Sequence, residues 1–230
     1  MAIDVYLGLT EGEMRKNTAL PRKSAWMACH FSPNSDGISN IPRRLPEGSL
    51  LILDDSTPIQ GHAPSQVRDA LTQLVEVHRC SAILLDFQRS GAEEMVAALS
   101  DGLPCPVAVS FLYGAMTQGP VVLPPVPPFR RLEEHIRPWA GREIWIELSP
   151  EGCELRVDEE GAHSGPWWPE GELSFRHERL HCHYRTELRP GMAVFRGCRT
   201  GEDLEDLLTE AEGLGITTAL GLWQEFPRFA

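Results

Sequence analysis

Several features that mark common classes of protein are missing from this chain of 230 residues. No stretch approaches the roughly 20 consecutive apolar residues that a membrane span needs. No G-x-G-x-x-G or G-K-[S/T] loop follows an apolar run, which argues against the common modes of nucleotide and dinucleotide binding. The first ten residues have no basic segment, and Asp4 interrupts their apolar run. We therefore expect no signal peptide and a cytoplasmic location.

Basic residues and cysteine pairs are also scarce. The 21 Lys and Arg against 33 Asp and Glu give a net charge of −12, which repels nucleic acids and anionic membranes. The six cysteines stand singly, without a C-x-x-C pair, so no disulfide framework is predicted. We predict reduced thiols, no nucleic-acid or membrane partner, and no cofactor or bound metal; the oligomeric state stays open.

What the chain does contain is an alternation of short apolar runs and amphipathic helical patterns. Residues 82–85 are continuously apolar, as is typical of a parallel strand buried on both faces. Before them, Val67, Leu71 and Leu74 recur at the spacing of one helix face. The same analysis predicts about eight strands, centred near residues 25, 50, 83, 108, 121, 145, 193 and 218. Residues 3–9 are a further possible strand.

Alternating strands and helices predict a parallel α/β architecture. About eight strands in a chain of this length fit a compact or degenerate (β/α)8 TIM-like barrel; the alternative is an open doubly wound sheet. Residues 143–148 and 153–157 alternate polar and apolar side chains around a Ser-Pro-Glu-Gly turn, which predicts a hairpin. We thus predict a single α/β domain over residues 1–230 with an antiparallel hairpin insertion around residues 143–188.

Two helix starts carry the pattern of a capping box, in which two side chains satisfy free backbone N–H groups. One is formed by Ser90 and Glu93, the other by Thr200 and Asp203. Both patterns precede amphipathic runs, so we predict helices that begin there.

Polar side chains stand where predicted strands end. Asp86 and Gln88 follow the strand at residues 82–85, and Asp54 and Asp55 end the strand before it. In parallel α/β folds this edge carries the ligand site. Two carboxylates there could act as acid and base or hold a divalent cation. The alternative is a local role, capping a turn or pairing with an arginine.

Four more residues near strand ends are candidates for lining the same mouth: Tyr113, Glu147, Trp223 and His30. His30 could carry protons near neutral pH. Trp167 and Trp168 form either a stacking platform for a sugar ring or a lid over the core. His181 and His183 share a strand face that suits a metal, although the alternation around them favours the polar outer face of a hairpin.

The stretch around Asp86 resembles a motif of the chitinase-like family 18 glycoside hydrolases. In that family a barrel strand ends in D-x-x-D-x-D-x-E, and the last Glu is the general acid. The corresponding positions here are Ser81, Leu84, Asp86 and Gln88. Asp86 matches, while Gln88 stands in the place of the acid and has no proton to titrate near neutral pH.

The resemblance implies a glycoside hydrolase-like barrel with a degenerate catalytic motif. Such a protein would bind a glycan or oligosaccharide with little or no hydrolysis. One alternative is an active hydrolase that uses Asp54, Asp55, Asp86 and Glu147. Another is a non-enzymatic scaffold that contacts partners through the hairpin region. Whether the protein is an enzyme is left open by the sequence.

Overall fold

The computed structural model describes residues 2–16, 20–34, 37–169, 171 and 173–226. The strands of this part are β1 (Asp4–Leu9), β2 (Ser24–Phe31), β3 (Ile38–Ser39), β4 (Leu50–Asp54), β5 (Ala82–Asp86), β6 (Val107–Ser110), β7 (Val121–Leu123), β8 (Ile144–Glu147), β9 (Gly152–Asp158), β10 (Gly161–Trp167), β11 (Phe175–His177), β12 (Cys182–Arg189), β13 (Met192–Cys198) and β14 (Thr218–Leu222). Its helices are α1 (Glu11–Lys16), α2 (Pro64–His78), α3 (Glu93–Ser100), α4 (Leu132–Ile136) and α5 (Gly201–Gly213).

Eight of these strands close into a parallel barrel. Their order is β1-β14-β8-β7-β6-β5-β4-β2, and β2 pairs in turn with β1. The short strand β3 adds to β2 in the antiparallel direction. Because the β1–β2 pairing completes the ring, the predicted TIM-like barrel is confirmed and the open doubly wound sheet is wrong.

The barrel strands are buried on both faces. Ile52, Leu84 and Trp145 belong to the cluster that fills the interior, whereas Leu53 and Leu85 point outward into the cluster beneath α2 and α3. A strand with an apolar environment on both sides has no position that favours a polar residue. This is why the barrel strands appear in the sequence as unbroken apolar runs.

The helices follow their sequence patterns, with one correction. The predicted apolar face of α2 is buried at Val67, Leu71, Leu74 and Val75. At α5 both halves of the Thr200–Asp203 capping box form. The box predicted at Ser90 is wrong: α3 begins at Glu93 with no side-chain cap, because Gly91 turns the chain at a φ of 94° first. None of the helices in the described residues is long and apolar enough to cross a bilayer.

A separate antiparallel sheet lies in the chain between β8 and α5, with strand order β10-β9-β13-β12-β11. The predicted antiparallel insertion is confirmed, but the predicted pairing of β8 with β9 is wrong, because β8 pairs with the barrel strands β7 and β14. The sheet also contains β13, which we predicted near residue 193 as a barrel strand. The remaining barrel strand is β1 instead. The single-domain organisation over residues 1–230 stays a prediction.

Candidate functional site

A cavity of about 360 Å³ opens among residues at the C-terminal ends of the barrel strands. Its floor belongs to the apolar layer of the barrel interior, with Ile52, Leu84 and Leu220 exposed to it. Its walls carry polar and acidic side chains and one tryptophan, namely Asp86, Glu147, Ser149, Glu151, Trp168 and Glu225. The volume falls in the range of small-molecule sites, and the position is the one at which barrel enzymes bind their ligands.

Strand alternation explains how acids come to the mouth of an apolar barrel. Asp86 follows the inward-facing Leu84 by two residues, and Glu147 follows the inward-facing Trp145 in the same way. Since side chains alternate along a strand, both carboxylates continue the inward-facing rows one step above the apolar layer. Asp54 is the direct neighbour of Asp86 in the β4–β5 register.

Asp86 and Gln88 are in contact. The Gln88 Nε2 donates a hydrogen bond to Asp86 Oδ1, and the Gln88 side chain is exposed while Asp86 is half-buried. Burial raises the pKa of Asp86, the Gln88 hydrogen bond opposes that rise, and repulsion from Asp54 and Asp55 adds to it. The amide at the motif's acid position therefore stabilises the neighbouring carboxylate.

Glu147 is the most perturbed carboxyl group of the cavity. Burial, followed by repulsion from Asp86, raises its pKa from 4.5 to about 7. Within the described part of the chain its side chain has no hydrogen bond or ion pair. Near neutral pH the Glu147 carboxyl group can therefore either donate or accept a proton.

His30 and Asp54 form a pair on the adjacent strands. The His30 Nδ1 lies 2.9 Å from Asp54 Oδ2 and 3.2 Å from Ser56 Oγ, and the Ser56 backbone N–H donates to Asp54 Oδ1 at 2.9 Å. The cavity lining includes neither His30 nor Asp54. They form a polar cluster beside the cavity, with the Asp54 carboxylate held by its neighbours.

Asp55 and Tyr113 support the loop after β5. The buried Asp55 carboxylate accepts hydrogen bonds from the backbone N–H groups of Gln88 at 3.1 Å and Arg89 at 2.9 Å. The buried Tyr113 hydroxyl donates to the Arg89 carbonyl and accepts from the Ala92 N–H at 3.1 Å. Neither side chain lines the cavity, so the structure does not bring these two candidates to the mouth. Their contacts position the segment that carries Gln88.

The tryptophan of the cavity is Trp168, and the candidate Trp223 lies elsewhere. Trp168 is 64% exposed and stands among the lining residues, whereas Trp223 packs against the apolar cluster outside the barrel. Trp167 lies beneath the Arg185 guanidinium, 5.2 Å from ring centroid to Cζ. Of the two roles considered for the Trp167–Trp168 pair, the position of Trp168 favours a platform at the cavity rim.

The histidine patch contacts helix α5. His181 Nε2 lies 2.9 Å from Glu210, and His183 Nδ1 lies 2.7 Å from Asp203. These pairs join the antiparallel sheet to the barrel, so the predicted outer face is wrong for these two residues. The ligand atoms of Asp158, Glu160 and His163 do lie within 4.8 Å of one another, but they stand on the exposed β9–β10 hairpin, and nothing else there indicates a cation.

Two acids of the cavity were missed by the sequence analysis. Glu151 lies in the turn read as the tip of a hairpin, and Glu225 lies in the 3-10 turn that follows β14. Both come within four residues of the end of a barrel strand. That proximity was the available signal; at Glu151 it was hidden because residues 143–148 were predicted as a hairpin strand.

No protein-family model matches the sequence, and no curated protein does. The fold has clear relatives. The spore cortex-lytic enzyme SleL of Bacillus cereus matches with a TM-score of 0.61 at 9% identity, over 96% of this chain and 70% of that chain. A chitinase from Chromobacterium violaceum matches with a TM-score of 0.58 at 11% identity, over 96% and 93%.

A family 18 N-acetylglucosaminidase from Paenibacillus barengoltzii gives a TM-score of 0.56 at 11% identity, over 96% of this chain and 94% of that one. The chain has a chitinase-like fold. The resemblance inferred from the stretch around Asp86 is thereby confirmed at the level of the fold. Identities this low establish the fold alone.

Proposed function

We propose that this protein is a glycoside hydrolase-like barrel that binds a glycan in the cavity at its mouth and hydrolyses it little or not at all. The observation that carries the proposal is the contact between Gln88 and Asp86. The residue at the general-acid position of the family motif is an amide, and its Nε2 donates a hydrogen bond to Asp86, the one acid that the motif retains.

The chemistry of glycoside cleavage explains why this substitution matters. The leaving oxygen must receive a proton, and positioned acids contribute about 10²–10⁴-fold to such reactions. A glutamine side chain donates hydrogen bonds but releases no proton near neutral pH. With Gln88 at that position, we expect the barrel to keep its ability to bind a glycan and to lose most of the family's hydrolytic activity.

The remaining cavity suits a sugar. Trp168 offers an apolar ring face at the rim, and tryptophan commonly combines such a face with a wet edge. Asp86 and Ser149 offer acceptors and a donor to hydroxyl groups. Among the fold relatives are proteins described as chitinases and as an N-acetylglucosaminidase, which supports a carbohydrate as the ligand.

The test compares binding and hydrolysis in matched variants. Calorimetry with chito-oligosaccharides should show binding to the wild type and at least tenfold weaker binding to Trp168→Ala. Trp167→Ala is the control, because that ring lies against Arg185 and outside the cavity lining. An aryl chitobioside should not be turned over by the wild type, and Gln88→Glu should gain activity. Failure of every glycan to bind would overturn the proposal in favour of a scaffold.

An active hydrolase is the second candidate, and the pKa of Glu147 near 7 favours it. In that case Glu147 would supply the proton and Asp86, which lines the same cavity, would assist. The wild type would then hydrolyse an aryl glycoside, and activity would disappear in Glu147→Gln. Replacing Gln88 by Ala would leave the rate within a few-fold of wild type, which separates this candidate from the first.

A further inference from the structure

We infer that the glycan bound at this site carries free amino groups and therefore positive charge. The inference rests on the proposed carbohydrate site and adds the sign of charge that the site selects. The cavity, its position at the strand ends and the Trp168 platform define the site. The charges of its walls then decide which sugars it accepts.

The walls carry charge of one sign. Asp86, Glu147, Glu151 and Glu225 all line the cavity, and its lining among the described residues contains no Lys, Arg or His. Such a site repels anionic sugars. When a neutral sugar binds, the carboxylates of the cavity exchange hydrogen bonds with water for hydrogen bonds with hydroxyl groups, and the repulsion between the carboxylates remains. A ligand that brings ammonium groups removes that repulsion.

The four acids form two mutually repelling pairs. Burial, followed by repulsion from Asp86, raises the pKa of Glu147. In the same way, burial followed by repulsion from Glu151 raises the pKa of Glu225. None of the four has an ion pair in the part of the chain that the structure describes. An ammonium group bound in this cavity would make charge-assisted hydrogen bonds with the carboxylates that line it.

An amino sugar matches these features group by group. Its ammonium group has three N–H donors and no acceptor, which suits a wall of carboxylate oxygens. Its ring presents an apolar face to Trp168, and a cation near a tryptophan face is itself attracted to the ring. An N-acetylated sugar has the same ring but a neutral amide. It can therefore stack on Trp168, but it does not reduce the repulsion between the carboxylates.

The test uses two oligosaccharides that differ only in acetylation: the tetramer of glucosamine and the tetramer of N-acetylglucosamine. Titration calorimetry of the full chain at pH 6 and low salt, where most glucosamine amino groups are protonated, should show the glucosamine tetramer binding at least tenfold more tightly. That preference should shrink several-fold when salt is raised, because screening weakens charge attraction. It should also shrink in the double variant Glu151→Gln/Glu225→Gln, which keeps the shape of the cavity.

A matched control separates the cavity charge from the net charge. The double variant Glu47→Gln/Glu133→Gln removes the same two negative charges from exposed positions outside the cavity lining, and it should retain the full preference. If both tetramers bind equally, or the acetylated one binds more tightly, the inference is overturned while the proposed glycan site stands. If neither tetramer binds, the proposed function fails as well.

Discussion

The antiparallel sheet and the cavity at the barrel mouth differ in whether their charged side chains have partners of opposite charge. In the sheet, Arg196 lies 2.6 Å from Glu154 and 3.3 Å from Glu187, and Arg176 reaches three acids, including the fully buried Asp203. In the cavity at the mouth, the described lining residues include four acids and no Lys, Arg or His. Paired charges fit a structural role, whereas carboxyl groups that burial and repulsion perturb in a cleft are typical of functional sites.

The largest effect should come from breaking the contacts of the buried Asp203, which join the antiparallel sheet to helix α5 of the barrel. Asp203 of α5 accepts hydrogen bonds from Thr200 at 2.9 Å, Arg176 at 2.9 Å and His183 at 2.7 Å. We expect Asp203→Asn to lower the free energy of unfolding by about 3 kcal/mol, since the fully buried carboxylate loses its charge-assisted hydrogen bonds with the partly exposed Arg176 and His183. Urea unfolding at pH 7 measures this loss, with the half-exposed Asp206→Asn as the milder control.

The same variant has a predicted pH dependence. Burial favours protonation of Asp203, but the hydrogen bonds from Thr200, Arg176 and His183 outweigh it and lower its pKa below 3.8. A lowered folded-state pKa gives stability that is present above the unfolded pKa and is lost as the pH falls through the folded one. The difference between wild type and Asp203→Asn should therefore narrow in acid; a constant difference would contradict the electrostatic explanation.

The next largest effect concerns Glu147 in the cavity, where we expect a substitution to increase the stability of the protein. Glu147 keeps its proton up to a pH of about 7 in the folded chain, against 4.5 for the free group. The wild type should lose stability as the pH rises through this interval, and Glu147→Gln should not. At pH 8 we expect the variant to be more stable by up to about 3 kcal/mol, with the advantage disappearing near pH 4.5. Thermal unfolding at both pH values tests this; a destabilised variant at pH 8 would show that Glu147 is compensated.

The smallest effect should come from the outer ion pairs of the sheet. Arg196→Met removes contacts with Glu154 and Glu187, whose side chains are 35% and 41% exposed. Exposed pairs contribute about 0.2–1 kcal/mol, so the change in the free energy of unfolding should stay below about 1 kcal/mol and decrease in high salt. A loss of stability as large as that of Asp203→Asn would show that these exposed ion pairs contribute as much as the buried contacts of Asp203.

The candidate site was partly predictable because strand ends carry a local signature. Asp86 and Gln88 follow a run whose burial the sequence indicates, and Glu147 stands near the end of a predicted strand; Asp86 and Glu147 line the cavity. Asp55 and Tyr113 share that signature, yet their hydrogen bonds turn them to the loop after β5. Glu151 and Glu225 were not predicted, because a residue's distance from a strand end says little about which way a turn will point it.

The sequence by itself determined most of the barrel strands and the two longest helices, α2 and α5, because burial on two faces and burial on one helix face each leave a periodic trace along the chain. The tertiary structure alone decided which strands pair. Residues 191–195 are as apolar as a barrel strand, but β13 joins the antiparallel sheet and β1 completes the ring. Strand pairing and charge pairing both join residues distant in the sequence, so no local pattern records the partner.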